Sequence, residues 1–236
     1  MKKSLKIAHL YPDLFNLYSD GGNLLTLKKR CEFYNIDYTI YEIKSKDEFI
    51  KNCDIYFIGT EQDLSSINIP KEIFNHKLDL QEAKNKGSIV LGLGGGYQLL
   101  GQYYKTLEGR CIDCFGLIDM YTIATEKRFS GNLTFKSDIN NIEYFVGYEN
   151  HISQTYLEKN TTPLGYVQIG QGNNGEDKTE GAISNNVFGT YLYGAFLPNN
   201  VQFLDYILSI ASNENLKPLT ESLEMLVHNS LISKTY

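Results

Sequence analysis

Three observations predict that the 236-residue chain folds as α/β, a mainly parallel sheet flanked by helices. Short β-branched and aromatic runs alternate with helical patterns through the first half, the signature of βαβ units. Residues 87–101, GSIVLGLGGGYQLLG, read as a strand, a sharp glycine turn and a helix. The length suits one large α/β domain, and such domains run to about 200–250 residues without dividing. No repeat, low-complexity tract or linker interrupts it, so residues 1–236 are expected to form a single domain.

In chain order, strands are expected at Leu5–Leu10, Asp37–Ile43, Asp54–Ile58 and Ser88–Leu93. Between the first two, Leu24, Leu27, Cys31 and Tyr34 recur at helical spacing and define one buried face. Lys71 to Lys86 supplies a helix ended by Gly87, and Tyr97 to Leu100 open another after the glycine turn. The second half is richer in strands, expected at Leu117–Ala124, Gly131–Lys136, Tyr144–Tyr148, Gly165–Gln168 and Val187–Leu192. Two helices close the chain. One buries Leu204, Ile207, Leu208 and Ala211, the other Leu219, Leu223, Leu226 and Val227.

The glycine turn has the form of a nucleophile elbow, in which one side chain is held in a strained conformation above the sheet while neighbouring N–H groups face an oxyanion. Its apex here is Gly94, which has no nucleophile. A phosphate loop fits poorly because no Lys-Ser or Lys-Thr follows the glycines, and the spacing Gly92, Gly94, Tyr97 breaks the dinucleotide fingerprint.

Five segments spread over most of the chain resemble the class I glutamine amidotransferases, in particular the cobyric-acid-synthase-like branch that includes the glutaminase subunits of lipid II isoglutaminyl synthases. Beside the elbow itself, they are Asn16-Leu17-Tyr18-Ser19-Asp20 with Gly22-Asn23, Asp54 to Gly59 (DIYFIG), Gly147-Tyr148-Glu149-Asn150-His151, the Gly170–Gly181 loop GQGNNGEDKTEG, and Gly189-Thr190-Tyr191-Leu192. The resemblance implies a flavodoxin-like sheet and a glutaminase site. It places a catalytic cysteine at position 94 and a catalytic histidine at position 193, where this chain has Gly94 and Tyr193. It also implies that Arg128 receives the glutamine carboxylate, that Gly59 and Gly95 belong to the oxyanion region, and that Glu61, Tyr97, Gln98 and His151 stand around the cleft.

A glycine cannot form a thioester, and a phenol with an ordinary pKa of about 10 is a poor base at neutral pH. A third departure lies after the third strand. The family's Gly-Gly-Gly-x-Asp run is Gly59-Thr60-Glu61-Gln62-Asp63 here, so side chains restrict the positive φ angles that glycine allows. Losses at three separate places point to a chain without glutaminase activity.

With 28 acidic against 22 basic residues and no basic run, nucleic-acid binding is not expected. No apolar segment reaches the roughly 20 residues of a membrane span, and no signal-peptide pattern opens the chain, so a cytoplasmic protein is expected. Of the four cysteines only Cys111 and Cys114 form a C-x-x-C, half of a zinc ligand set, and no metal or cofactor is expected. His9, His76 and His228 are read as structural or surface residues.

The resemblance implies a partner, a Mur-ligase-like protein that amidates a cell-wall precursor. Three functions stand side by side: a silent subunit of such a heterodimer, an active glutaminase carrying engineered Gly94 and Tyr193, and a sensor binding glutamine or another amino acid through Arg128.

Overall fold

The computed structural model describes residues 4–16, 20–61, 63–66, 68–217 and 222–233. Leu17, Tyr18, Ser19, Gln62 and Leu219, singled out in the sequence, lie outside the described residues. The first half builds β1 (Leu5–Leu10), α1 (Asp20–Phe33), β2 (Tyr38–Ile43), β3 (Ile55–Ile58), α2 (Lys77–Asn85), β4 (Ile89–Leu93) and α3 (Gly95–Leu99). After these come β5 (Tyr103–Lys105), β6 (Cys111–Asp113), β7 (Met120–Lys136), β8 (Tyr144–Leu157), β9 (Gly165–Ile169) and β10 (Thr179–Glu180). The chain returns through β11 (Ala182–Ser184) and β12 (Val187–Thr190), then α4 (Phe196–Asn199), α5 (Val201–Ser212) and α6 (Leu223–Ser233).

One sheet has the order β11-β12-β4-β3-β1-β2 and is parallel apart from β11. Every residue of β3 and β4 is buried, as expected of central strands covered on both faces. On one face Leu5 and Ile7 of β1 pack with Leu27 and Cys31 of α1 and with Leu204 and Leu208 of α5. On the other, Ala8 and Leu10 pack with Leu80 of α2 and Leu99 of α3. The expected α/β fold is therefore present.

A second, largely antiparallel sheet orders as β10-β9-β7-β5-β6, with β8 paired to β7. Its β7 joins the two strands expected at Leu117–Ala124 and Gly131–Lys136 into one that starts at Met120, three residues later than expected, and β8 runs on to Leu157, well past Tyr148. The break that the sequence suggested is a β-bulge: the β7–β8 register shifts between Ala124 and Phe129. Within it Thr125 Oγ1 donates to Ile152 O at 2.9 Å and accepts from Lys127 N–H at 3.3 Å, so local hydrogen bonds replace the ladder.

Two helix expectations need correction. Residues Lys71–His76 form a 3-10 helix, and only Lys77–Asn85 is α-helical, because the segment starts directly after Pro70, which has extended backbone. In α6 the face expected to be buried is outward: Leu223, Leu226 and Val227 are exposed. The helix is anchored instead by buried His228, whose Nδ1 pairs with Asn199 O at 2.7 Å.

Candidate functional site

β4 and β12 are adjacent and parallel, with Leu93 opposite Thr190, so the elbow and the segment carrying Tyr193 leave the same end of the sheet side by side. Gly94 N–H donates to Thr190 O at 2.9 Å and ties the two together. At the apex Gly94 has φ 53° and ψ −117°, a conformation that L side chains rarely adopt. The turn thus holds a strained apex that carries no side chain.

The space above the elbow is filled by the loop after β3. In hydrolases with this turn, the N–H of the residue after the nucleophile faces the oxyanion. Here that donor, Gly95 N–H, is bound to Glu61 O at 2.8 Å. A Cβ added at Gly94 would lie 2.8 Å from the same oxygen and 3.1 Å from Thr60 Cγ2. The Glu61 carbonyl thus stands against any oxyanion at this place.

Tyr193 is partly buried, its N–H donates to Tyr148 O at 3.0 Å, and its ring meets the Tyr148 ring edge-on at 5.7 Å. Tyr148 belongs to β8 and its hydroxyl pairs with Ser130 Oγ on β7 at 3.1 Å, so Tyr193 is docked against the β7–β8 ribbon. Arg128 lies in the bulge of the same ribbon, exposed, with Nε donating to Asn150 Oδ1 at 2.7 Å. Gly59 is buried beneath the elbow, its carbonyl 2.6 Å from where a Cβ at Gly96 would stand.

Tyr97, Gln98 and His151, expected around the cleft, are buried. The T-shaped Tyr97–Tyr191 contact and the hydrogen bond from Tyr97 OH to Asn173 Oδ1 at 3.0 Å lock α3 to the Gly170–Gly181 loop. Gln98 accepts from Leu64 N–H at 2.9 Å and donates to Asp63 Oδ2 and to Tyr191 OH, each at 3.2 Å. His151 stacks on Tyr191 with ring centroids 3.7 Å apart, and its Nδ1 pairs with Ser153 O at 2.6 Å. Tyr97 and Gln98 use their polar atoms to hold the floor of the site, and His151 does so through Nδ1, while its buried Nε2 has no hydrogen-bond partner and lies 3.7 Å from Glu149 Oε2.

Sequence reasoning missed the residues that organise this floor. Glu149 accepts Gln171 N–H at 2.7 Å and Gly172 N–H at 2.9 Å. Glu180 accepts Thr190 Oγ1 at 2.6 Å and Tyr191 N–H at 2.8 Å, which sets the path of the chain toward Tyr193. Burial pushes the Glu180 carboxyl up to about 7, against the opposing pull of those two donors. Asn173 bonds Thr179 Oγ1 and both backbone groups of Gly181, and Asn174 bonds Glu176 N–H, Asp177 N–H, Asp177 Oδ2 and Thr155 O. The paired asparagines and the two glutamates were visible as motif letters, but their partners are remote in sequence.

Among the described residues no group of three His, Cys, Asp or Glu side chains is arranged to hold a metal, and no helix is long and apolar enough to cross a membrane.

The model of the CobB/CobQ-like glutamine amidotransferase domain matches residues 6–201. The lipid II isoglutaminyl synthase (glutamine-hydrolyzing) subunit GatD of Staphylococcus aureus is 39% identical over 208 residues, covering 88% of this chain and 84% of that protein. Its counterpart in Streptococcus pneumoniae is 36% identical over 209 residues, covering 88% and 80%. Cobyric acid synthase of a Thermoanaerobacter species is 28% identical over 207 residues, 76% of this chain but 38% of that protein. Among solved structures, PurLQS from Thermotoga maritima aligns with a TM-score of 0.61 at 14% identity, over 90% of this chain and 99% of the other. The glutaminase domain of Trypanosoma brucei CTPS with bound acivicin aligns at 0.59 and 11% identity, over 93% and 98%. At these identities the two structures speak for the fold alone.

Proposed function

The chain belongs to the CobB/CobQ-like glutamine amidotransferase family, and we propose that it is a glutamine amidotransferase-like subunit of a lipid II-amidating complex that has lost glutaminase chemistry and acts through its partner. The similarity to GatD subunits over 88% of the chain supports the pathway and the subunit role. One observation carries the loss of activity. The Glu61 carbonyl holds the Gly95 N–H and stands where a Cβ at position 94 would be, so nucleophile and oxyanion donor are absent together. Tyr193 adds no base, and its ring is engaged with Tyr148.

The partner is a Mur-ligase-like protein, the enzyme class that would use ammonia at an activated carboxylate. The exposed Glu176, Asp177 and Lys178 form the tip of the Gly170–Gly181 loop, whose base is held rigid by Asn173 and Asn174. A rigid loop with a charged tip loses little conformational freedom on docking. Asp177 itself is unsuited to an interface test, since its carboxylate accepts Thr179 N–H at 2.8 Å, Thr179 Oγ1 at 2.7 Å and Asn174 Nδ2 at 2.8 Å. Glu176→Lys is the cleaner reversal of charge.

The test has two parts. Purified protein, alone and with the ligase-like partner and ATP, should release no glutamate from glutamine above a buffer blank. Size-exclusion chromatography and calorimetry should show a heterodimer that Glu176→Lys weakens. Turnover by the unmodified chain sinks the loss of activity. No association at micromolar concentration sinks the partner role.

A further inference from the structure

Three buried ionisable groups tie the Gly170–Gly181 loop to its surroundings. Glu149 and His151 are each 2% exposed, and Glu180 is fully buried. His151 Nε2 lies 3.7 Å from Glu149 Oε2, too far for a hydrogen bond. Its Nδ1 is 2.6 Å from Ser153 O, and a carbonyl only accepts, so Nδ1 carries a hydrogen and Nε2 is the nitrogen whose proton can come and go. Glu180 is similarly one-sided. Its Oε1 accepts both Thr190 Oγ1 and Tyr191 N–H, whereas Oε2 has no partner among the described residues.

Each group also holds a separate piece of the chain. Glu149 accepts Gln171 and Gly172 N–H at the start of the loop, Glu180 stands at the loop's end and holds Tyr191 N–H, and His151 stacks on the Tyr191 ring. Burial is what chiefly raises the Glu180 carboxyl; its bonds with Thr190 and Tyr191 lower it, the Glu149 charge raises it and His151 lowers it. The neighbouring phenols of Tyr97 on α3 and of Tyr191 are raised by burial and stay neutral, with Asp177 acting on the first and Asp63 on the second. With both glutamates ionised, two buried negative charges face one imidazole, and buried charge is tolerated only when it is paired. One proton on Glu180 Oε2 removes the imbalance.

We propose that Glu149, His151 and Glu180 form a proton-operated latch: the closed arrangement of the Gly170–Gly181 loop and the Thr190–Tyr193 segment retains one proton on Glu180, and the two segments open together as that proton is released. The latch stands whether or not the chain hydrolyses glutamine and whether or not the loop meets a partner. Opening returns Glu180 from about 7 to its ordinary 4.5, so between these values the opening constant rises about tenfold for each pH unit, and above about 7, where the closed form has already lost the proton, the rise ends.

Amide hydrogen exchange in the unmodified chain, corrected for the intrinsic rise of exchange with pH, reads the latch directly. Gln171, Gly172 and Tyr191 N–H should share one opening constant, larger than that of the β4 amides, and it should rise about tenfold per pH unit between about pH 5 and 7. Glu180→Gln should make all three independent of pH, Gln171 and Gly172 included, although their acceptor is Glu149. In the unmodified chain the Nε2 resonance of His151 should move over the same interval. The proposal is overturned by any of four results: unequal opening at the three amides, opening no easier than that of β4, a pH slope that Glu180→Gln leaves unchanged, or an Nε2 resonance that is silent between about pH 5 and 7. Should Glu180→Gln fail to fold, the three measurements on the unmodified chain still decide.

Discussion

Replacing Gly94 by cysteine puts a thiol at the apex of the turn, and the structure sets what it should do. The new Cβ would approach Glu61 O to 2.8 Å, closer than real Cβ contacts, and Thr60 Cγ2 to 3.1 Å. Relief requires the 60–61 backbone to retreat, which breaks the Gly95 N–H to Glu61 O bond, a net loss of about 0.5–1.5 kcal/mol. The φ of 53° adds about 1–2 kcal/mol of strain for a residue with a Cβ. Against these, cysteine reduces the freedom of the unfolded chain and returns about 0.4–1 kcal/mol. The expected result is a destabilisation of about 1–3 kcal/mol, or a fall in Tm of roughly 2–4 °C per kcal/mol for a domain of this size. Urea denaturation monitored by tyrosine fluorescence measures the first quantity, and a coupled glutamate assay measures turnover, expected to be nil. A Gly94→Cys protein as stable as its parent, or one that hydrolyses glutamine, would falsify the closed oxyanion region.

Other perturbations test the floor of the site and the core. The folded-state pKa of Glu180, about 7, lies above its ordinary 4.5, so the folded protein binds the extra proton. Its contribution is full below about pH 4.5 and is lost as pH rises toward 7; at about 1.4 kcal/mol per pKa unit the whole effect is about 3 kcal/mol. Glu180→Gln should therefore gain stability relative to the parent as pH rises from 4.5 through about 7, and parallel pH profiles of the denaturation midpoint would count against this. Asn173→Ala strands Gly181 N–H and Tyr97 OH in a buried region and should cost about 2–4 kcal/mol, with faster proteolysis at residues 170–181 than in the parent. Asp205→Ala leaves Arg30, 4% exposed, without the carboxylate that its Nε now reaches at 2.9 Å, and should cost about 3–5 kcal/mol by chemical denaturation. Gly189→Ala places a methyl 2.0 Å from Tyr97 Cδ2, so overpacking of about 1–3 kcal/mol or more should appear as a lower Tm and a changed near-UV signal from Tyr97 and Tyr191.

The strands of the parallel sheet were legible almost to the residue, since β1 occupies the expected Leu5–Leu10 and β4 starts one residue after the expected Ser88. Buried parallel strands are continuous apolar runs between helices, a pattern that needs no knowledge of partners. The short strands β5 and β6 were not, because Tyr103–Lys105 and Cys111–Asp113 have little pattern of their own and exist through pairing with β7 and with each other. The outward face of α6 is a similar case. Its apolar letters promised burial, but whether a helix face is covered depends on what packs there, and His228 took the anchoring role.

At the site, the amino-acid sequence alone determined which groups are present: a glycine at 94 carries no nucleophile, and a tyrosine at 193 brings a phenol with an ordinary pKa of about 10. It also determined the family frame, through glycine and asparagine motifs such as Gly147–His151 and Gly170–Gly181. Only the tertiary structure decided that the Glu61 backbone carbonyl closes over the Gly94 apex, and that Tyr97, Gln98 and His151 support the floor from within. The physical reason is that a residue type limits the reactions a position can perform, while burial, hydrogen-bond partners and steric access belong to segments far apart in the chain. Glu180 and Thr190, or Glu61 and Gly95, become neighbours only when the strands that carry them are laid side by side.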